Sequence, residues 1–284
     1  MMTLETGSFK LLLHEPGDGF YRGTRFDAAG ISGGLDFAGL QMCGPWFGTY
    51  DPYAHDAVCG PAEEFTPIGF DGSAPGGTFV KPGVGVLLRP DSAPYDRFRL
   101  YPVHDPGMWT VERGTGFIAF THRLKGVYEY RKEFVLTGER SFDIRHSLDT
   151  LGPELSGEVY NHNFWTFGRM EVGPSRRMDF PFVPEGRWRA AYDSVAIAGS
   201  GIRFSRTLRE GESVYMGDIH CSGGQGMPYE MDISEGNTGV RVSADVQASH
   251  TVLWANHRVA CLEPYSAFTA HSKWTISYEL YEKN

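Results

Sequence analysis

Residues 273–281, KWTISYELY, place Trp274, Ile276, Tyr278 and Leu280 at alternate positions and Lys273, Thr275, Ser277 and Glu279 between them. A period of two is that of a β-strand, whose successive side chains point to opposite faces, and one apolar face marks a half-buried antiparallel strand. The same pattern recurs in VYEYRKEFVL (127–136), SFDIRHSL (141–148) and GVRVSADV (239–246). Between such runs lie EPGDG (15–19), DGSAPGG (71–77), LTGER (136–140), REGES (209–213) and SEGNTG (234–239), all able to supply the positive-φ positions that hairpins need. No window of about 12 residues carries a 3.6-residue apolar period. The expected fold class is therefore all-β, a large twisted antiparallel β-sandwich. A propeller would need a blade repeat of about 40–50 residues, and none is found. Two stretches, 40–79 and 172–194, are rich in Gly, Pro and aromatic residues without alternation. They read as irregular covers, because strands continue on both sides and no linker-like tract separates two halves. One domain over residues 1–284 is the expectation.

Composition narrows the function classes. Hydrophobic residues at 41% and charged residues at 21% exclude disorder as the main state. A net charge of −9 repels polyanions, so neither nucleic acid nor an anionic membrane surface is expected as partner, and oligomeric state is left open. Cys43, Cys59, Cys221 and Cys261 form no C-x-x-C pair and read as buried thiols rather than two disulfides. The N-terminus lacks the apolar core of a signal peptide and no run approaches about 18 apolar residues, which makes a cytoplasmic location the default. Neither G-x-S-x-G nor a phosphate-binding glycine loop occurs, and no cofactor is expected.

Three segments carry chemistry. GEVYNHNFWTFGR (157–169) alternates so that Tyr160, His162, Phe164 and Thr166 share one side and Asn161, Asn163, Trp165 and Phe167 the other. Aromatics on both faces mean burial on both. His162 among rings suits a proton donor beside a stacked sugar, while a hydrogen-bonded core histidine is the bland alternative. In TVLWANHRVACLEPYSAF (251–268), Glu263 stands among apolar residues. It is either exposed at a strand end or held where burial raises its pKa toward that of a useful general base. Pro264, having no N–H, is expected to end that strand. HDAVCGPAEEF (55–65) offers His55, Asp56, Glu63 and Glu64 as metal ligands, hydroxyl acceptors or plain loop charges. The spacing fits no metal motif, so no metal is expected, and adjacent carboxylates on a strand face opposite ways.

Taken together, YNHNF (160–164), CLEP (261–264), the final WTISYELY and YRGTRFDAAGISGGLDFAG (21–39) resemble, in order and spacing, the aldose 1-epimerase (galactose mutarotase-like) superfamily. The resemblance implies a large twisted β-sandwich of the galactose mutarotase-like type. It implies anomer interconversion on a carbohydrate substrate, with Glu263 as base and His162 as acid, both with pKa values drawn toward neutrality. Arg25 matches a sugar-contacting arginine. With it, Glu63 and Glu64 would bind hydroxyls, Tyr160, Trp165 or Trp254 would offer a stacking face, and Asp179 is the candidate for the family's mid-chain aspartate. The chain departs from the pattern where CGPAEEF replaces a His-Gly-Gly segment, which leaves room for a sugar lyase or hydratase using the same pair, or for a non-catalytic carbohydrate-binding protein. The charge of −9 favours neutral sugars over phosphorylated ones.

Overall fold

The strand foreseen at 273–281 spans His271–Glu282 in the computed structural model, which describes residues 1–152, 154–168, 170–222 and 227–283. Trp274, Ile276, Tyr278 and Leu280 are buried, as the alternation requires. Strand His271–Glu282 pairs antiparallel with Ser141–Thr150 on one side and Thr238–Ala248 on the other. These are the middle of a ten-stranded sheet that runs outward through Tyr128–Gly138 and Phe117–Leu124 in one direction and Met227–Glu235 in the other. All four strands anticipated from alternation are present within one to two residues at most ends. The hairpin at SEGNTG turns through Gly236 and Asn237 between paired Glu235 and Thr238, and Gly236 takes φ 57°, where a side chain would be strained.

The opposing layer is a six-stranded sheet, ordered Pro184–Trp188, Ser213–Cys221, His250–Asn256, Ala260–Phe268, Gly157–His162 and Ala62–Phe65, and a four-stranded sheet of residues 2–43. Trp165 joins them. Its backbone exchanges hydrogen bonds with Ala260 at 3.3 and 3.2 Å, and the neighbouring Thr166 N–H donates to Met42 at 2.9 Å. One apolar core, from Met2 to Leu280, fills the space between the layers. The stretches 40–79 and 172–194 hold short strands as well as loops. Among the described residues there is no helix, and none that is long and apolar enough to cross a membrane. All four cysteines are free, and Cys221 is only half-buried, which corrects the reading of it as a buried thiol.

A polar network ties the layers through the apolar core. Lys132, from the ten-stranded sheet, donates to Glu63 of the opposite layer and lies 3.5 Å from Asp27. Glu63 accepts from Asn161 at 2.8 Å and lies 3.4 Å from His146, and the Tyr278 hydroxyl sits 2.9 and 3.0 Å from the side-chain oxygens of Asn161 and Asn163. Lys132 and His146 against Glu63 hold that carboxyl down at about 2 despite its burial. Asp27, buried and beside Glu63, is pushed up to about 7 even with Lys132 near, so two carboxylates share one ammonium. Removing one partner from such a cluster strands the others in an apolar interior. Lys132→Met is therefore expected to lower unfolding stability by about 3–5 kcal/mol in urea titrations. Arg241→Met, which breaks the exposed pair with Glu279, should cost under about 1 kcal/mol.

Candidate active site

Strand Ala260–Phe268 pairs with Gly157–His162 from Gly157 opposite Phe268 to Tyr160 opposite Tyr265. The next rung would place Asn161 opposite Pro264, which has no N–H to give, and the ladder lapses there. It resumes in unchanged register where Trp165 bridges Ala260. That register sets His162 opposite Glu263, in the gap, on the same face of the sheet. Pro264 thus opens the ladder without ending the strand, which runs on to Phe268; the expected termination is corrected on this point. His162 Nε2 lies 3.3 Å from Glu263 Oε1, both nearly inaccessible. Gly60, at φ 66°, lets a loop press against this strand. A Cβ there would lie 2.7 Å from Phe164 N and 3.0 Å from the His162 carbonyl.

Alternation assembles the rest of the face. His162 on one strand, Glu263 and Tyr265 on the next, and His250, Val252 and Trp254 on the third line a cleft of about 730 Å³, with Tyr160 on the same face beneath it. Phe164 stacks on the His162 ring at 3.8 Å, nearly parallel, and Phe26 and Trp254 meet that ring edge-on. Glu64 pairs with Tyr160 on this same face. Three cations converge on Glu64: Arg25 Nε donates at 2.8 Å, Lys81 Nζ at 3.2 Å, and Arg97 Nε lies at 3.8 Å. The Tyr160 hydroxyl donates to Glu64 and receives Arg25 Nη2 at 2.8 Å and Arg97 Nη1 at 3.3 Å. Arg97 Nη1 also reaches the Tyr265 hydroxyl at 3.1 Å.

The cations keep the Glu64 carboxyl down at about 2 against its burial. Burial raises Glu263 to about 7, although Arg25 and Arg97 pull the other way. His162 goes down instead of toward neutrality: burial, then Arg25 and Arg97, push the imidazole well below its ordinary value. Burial thus favours the uncharged form of both groups, the imidazole without its second proton and the carboxyl with its own.

Of the residues singled out from sequence, His162, Glu263, Arg25 and Trp254 line the cleft. Glu64 and Tyr160 lie beneath it, binding Arg25 and Arg97, and the Tyr160 ring is stacked on Tyr265 at 4.5 Å rather than free for a sugar. Three expectations are corrected. Glu63 points to the opposite face and is held in the core by Lys132. Trp165 is wholly buried as the seam between the two sheets. Asp179 pairs with Arg203 in the other layer, away from the cleft. Arg97 and Tyr265 were not foreseen. Tyr265 was legible, being two residues beyond Glu263 on the same strand; Arg97 sits in a loop with no periodicity to expose it. His55, earlier weighed as a metal ligand, lies 3.2 Å from Arg25 Nη1. Among the described residues no group of three or more His, Cys, Asp or Glu side chains is placed to hold a metal ion.

No family model matches the sequence, and no curated protein matches it. Solved structures match over nearly the whole chain. A C. elegans GalM/aldose epimerase homologue superposes with a TM-score of 0.55 at 13% identity, covering 100% of this chain and 99% of that one. A Synechocystis protein gives 0.55 at 13% over 99% and 96%, and the galactose 1-epimerase of Lactobacillus acidophilus gives 0.51 at 10% over 99% and 94%. At such identities the likeness speaks to the fold, and the chain has the galactose mutarotase-like β-sandwich fold.

A buried carboxyl whose pKa is raised on folding costs stability as pH climbs from its unfolded value through its folded one. For Glu263 that window runs from 4.5 to about 7. Glu263→Gln, neutral and nearly isosteric, should therefore melt close to the parent protein at pH 5 and above it at pH 8, by on the order of 2–3 kcal/mol in stability. A difference in melting temperature that does not grow with pH would contradict the buried carboxyl.

Proposed function

We propose that the chain interconverts the anomers of an aldose by acid/base ring opening. The observation that supports this most is the His162–Glu263 pair, opposed at 3.3 Å in a break of the sheet ladder and walled by aromatic rings. Opening the ring requires removal of the C1 hydroxyl proton and protonation of the ring oxygen. Both oxygens are bonded to C1, so two touching side chains suit them better than two distant ones. The fold's structural neighbours, an aldose epimerase homologue and a galactose 1-epimerase among them, agree with this reading.

The protonation states suit the task with the resting roles exchanged relative to those the resemblance implies. Below about pH 7 Glu263 holds a proton and His162 does not. Neutral His162 takes the proton from the C1 hydroxyl as the bond from C1 to the ring oxygen breaks, and Glu263 delivers its proton to the ring oxygen. This leaves an aldehyde, an imidazolium and a carboxylate side by side. The aldehyde rotates about its bond to C2. On closure Glu263 recovers the proton from the hydroxyl and His162 returns its own to the new anomeric oxygen, so Glu263 is the base and His162 the acid in that half. Trp254 offers a ring face to the sugar, and Arg25 offers a charged donor.

The active form holds one proton on the pair. Anomer exchange, followed by polarimetry or NMR saturation transfer, should fall above about pH 7 as Glu263 ionises and at acidic pH as His162 protonates. Glu263→Gln should lose at least about 10²-fold in rate, the usual contribution of a positioned proton-transfer group, while still binding sugar. Undiminished exchange in that variant would overturn the proposal. Binding without exchange in the parent protein would point to a carbohydrate-binding role, and a new ultraviolet-absorbing product to elimination.

A further inference from the structure

The charges around the catalytic pair do not balance. Arg25, Lys81 and Arg97 meet a single shared carboxylate, Glu64, and Arg25 and Lys81 are almost entirely buried. Glu263 carries a full charge only above about pH 7, and even then the cluster stays short of one negative charge. Burial, with Arg25 and Arg97 beside it, brings the Lys81 ammonium down to about 8 against the pull of Glu64. Four other acids line the cleft, and solvent screens them: Asp96 and Asp218 are exposed, the latter paired with Arg187, Glu158 is half-exposed and accepts from Ser249 Oγ at 2.7 Å, and Asp56 is half-exposed and faces His55 at 3.9 Å. Arg97 has the spare donors. Its Nη1 is used by Tyr160 and Tyr265, while Nη2 has no hydrogen-bond partner among the described residues, and its side chain is 35% exposed at the cleft wall.

We propose that the substrate is an acidic sugar, and that its anionic group binds at Arg97 beside Arg25 and His55. This rests on the ring-opening reading of the same site. A guanidinium with a free edge in a half-buried site is suited to an oxyanion, and an anion from the ligand supplies the charge the cluster lacks. A carboxylate on the carbon next to the ring oxygen fits the arrangement best, because that carbon lies one bond from the oxygen that Glu263 protonates. The substrate class so named is the uronic acids, with hexose 6-phosphates as the other source of an anion at that end of the sugar. The net charge of the chain favoured neutral sugars; the anion site rests instead on the local cluster of Arg25, Lys81 and Arg97.

Two measurements separate this from the proposed reaction. Anomer exchange by the parent protein is compared for glucuronate and galacturonate, glucose and galactose, and glucose 6-phosphate. Calorimetric binding of the same sugars is measured on Glu263→Gln with and without Arg97→Met. Exchange of a uronate at least tenfold faster in kcat/KM than its neutral parent sugar supports the proposal, as does a tenfold or greater narrowing by Arg97→Met of the preference for uronate over neutral sugar in binding. A preference for the 6-phosphate over both uronates would keep the anion site and reject the carboxylate. Equal or faster exchange of neutral sugars would overturn the acidic-sugar proposal and leave ring opening standing. Uronate binding that depends on Arg97, with no exchange of any sugar, would keep the anion site and overturn ring opening.

Discussion

Glu63 and Glu64 are consecutive residues on the short edge strand Ala62–Phe65, and the pleat sends them to opposite faces. Each is buried and each would be intolerable there alone, since an unpaired carboxylate in an apolar interior costs several kcal/mol. Each therefore gathers cations. Glu63 draws Lys132 and the amide of Asn161 across the core, and Glu64 draws Arg25, Lys81 and Arg97 under the cleft. Through this pair of residues the packing of the two layers and the placing of the site arginines are one constraint. A shift of the strand by one residue would exchange the two clusters and destroy both.

The His162–Glu263 pair sits in the field of the charges that Glu64 organises. Burial alone would drive Glu263 up and His162 down. Arg25 and Arg97 moderate the first and deepen the second; burial outweighs them at Glu263, so the carboxyl is pushed up while the imidazole is pushed down. A site of this kind is held against the preference of the fold, because a neutral amide at 263 would suit the apolar surroundings better.

How much of this the sequence disclosed depended on whether a feature is periodic. Residues 273–281 alternate without interruption and their strand was legible to within a residue or two. His162 and Glu263 were found because each stands out among apolar neighbours on an alternating strand, and the opposed directions of Glu63 and Glu64 followed from the pleat. The roles of Glu63 and Trp165 were misjudged for one reason: alternation says that two residues face opposite ways but not which way is inward, when both faces are apolar. Pro264 was misjudged because a missing donor can interrupt a ladder locally while the strand continues. Arg97 lies in a loop, where nothing in the local pattern records what the chain folds back upon.

The seam at Trp165 links the four-stranded sheet to the site. The four strands of residues 2–43 are attached to the rest of their layer by a handful of backbone hydrogen bonds around Trp165, Thr166 and Met42. That seam is three residues along the chain from His162. Local opening of those strands therefore bears at once on the strand that carries His162 and, through Thr6 and Ser8 on Glu139 and Phe9 on Phe142, on the ten-stranded sheet.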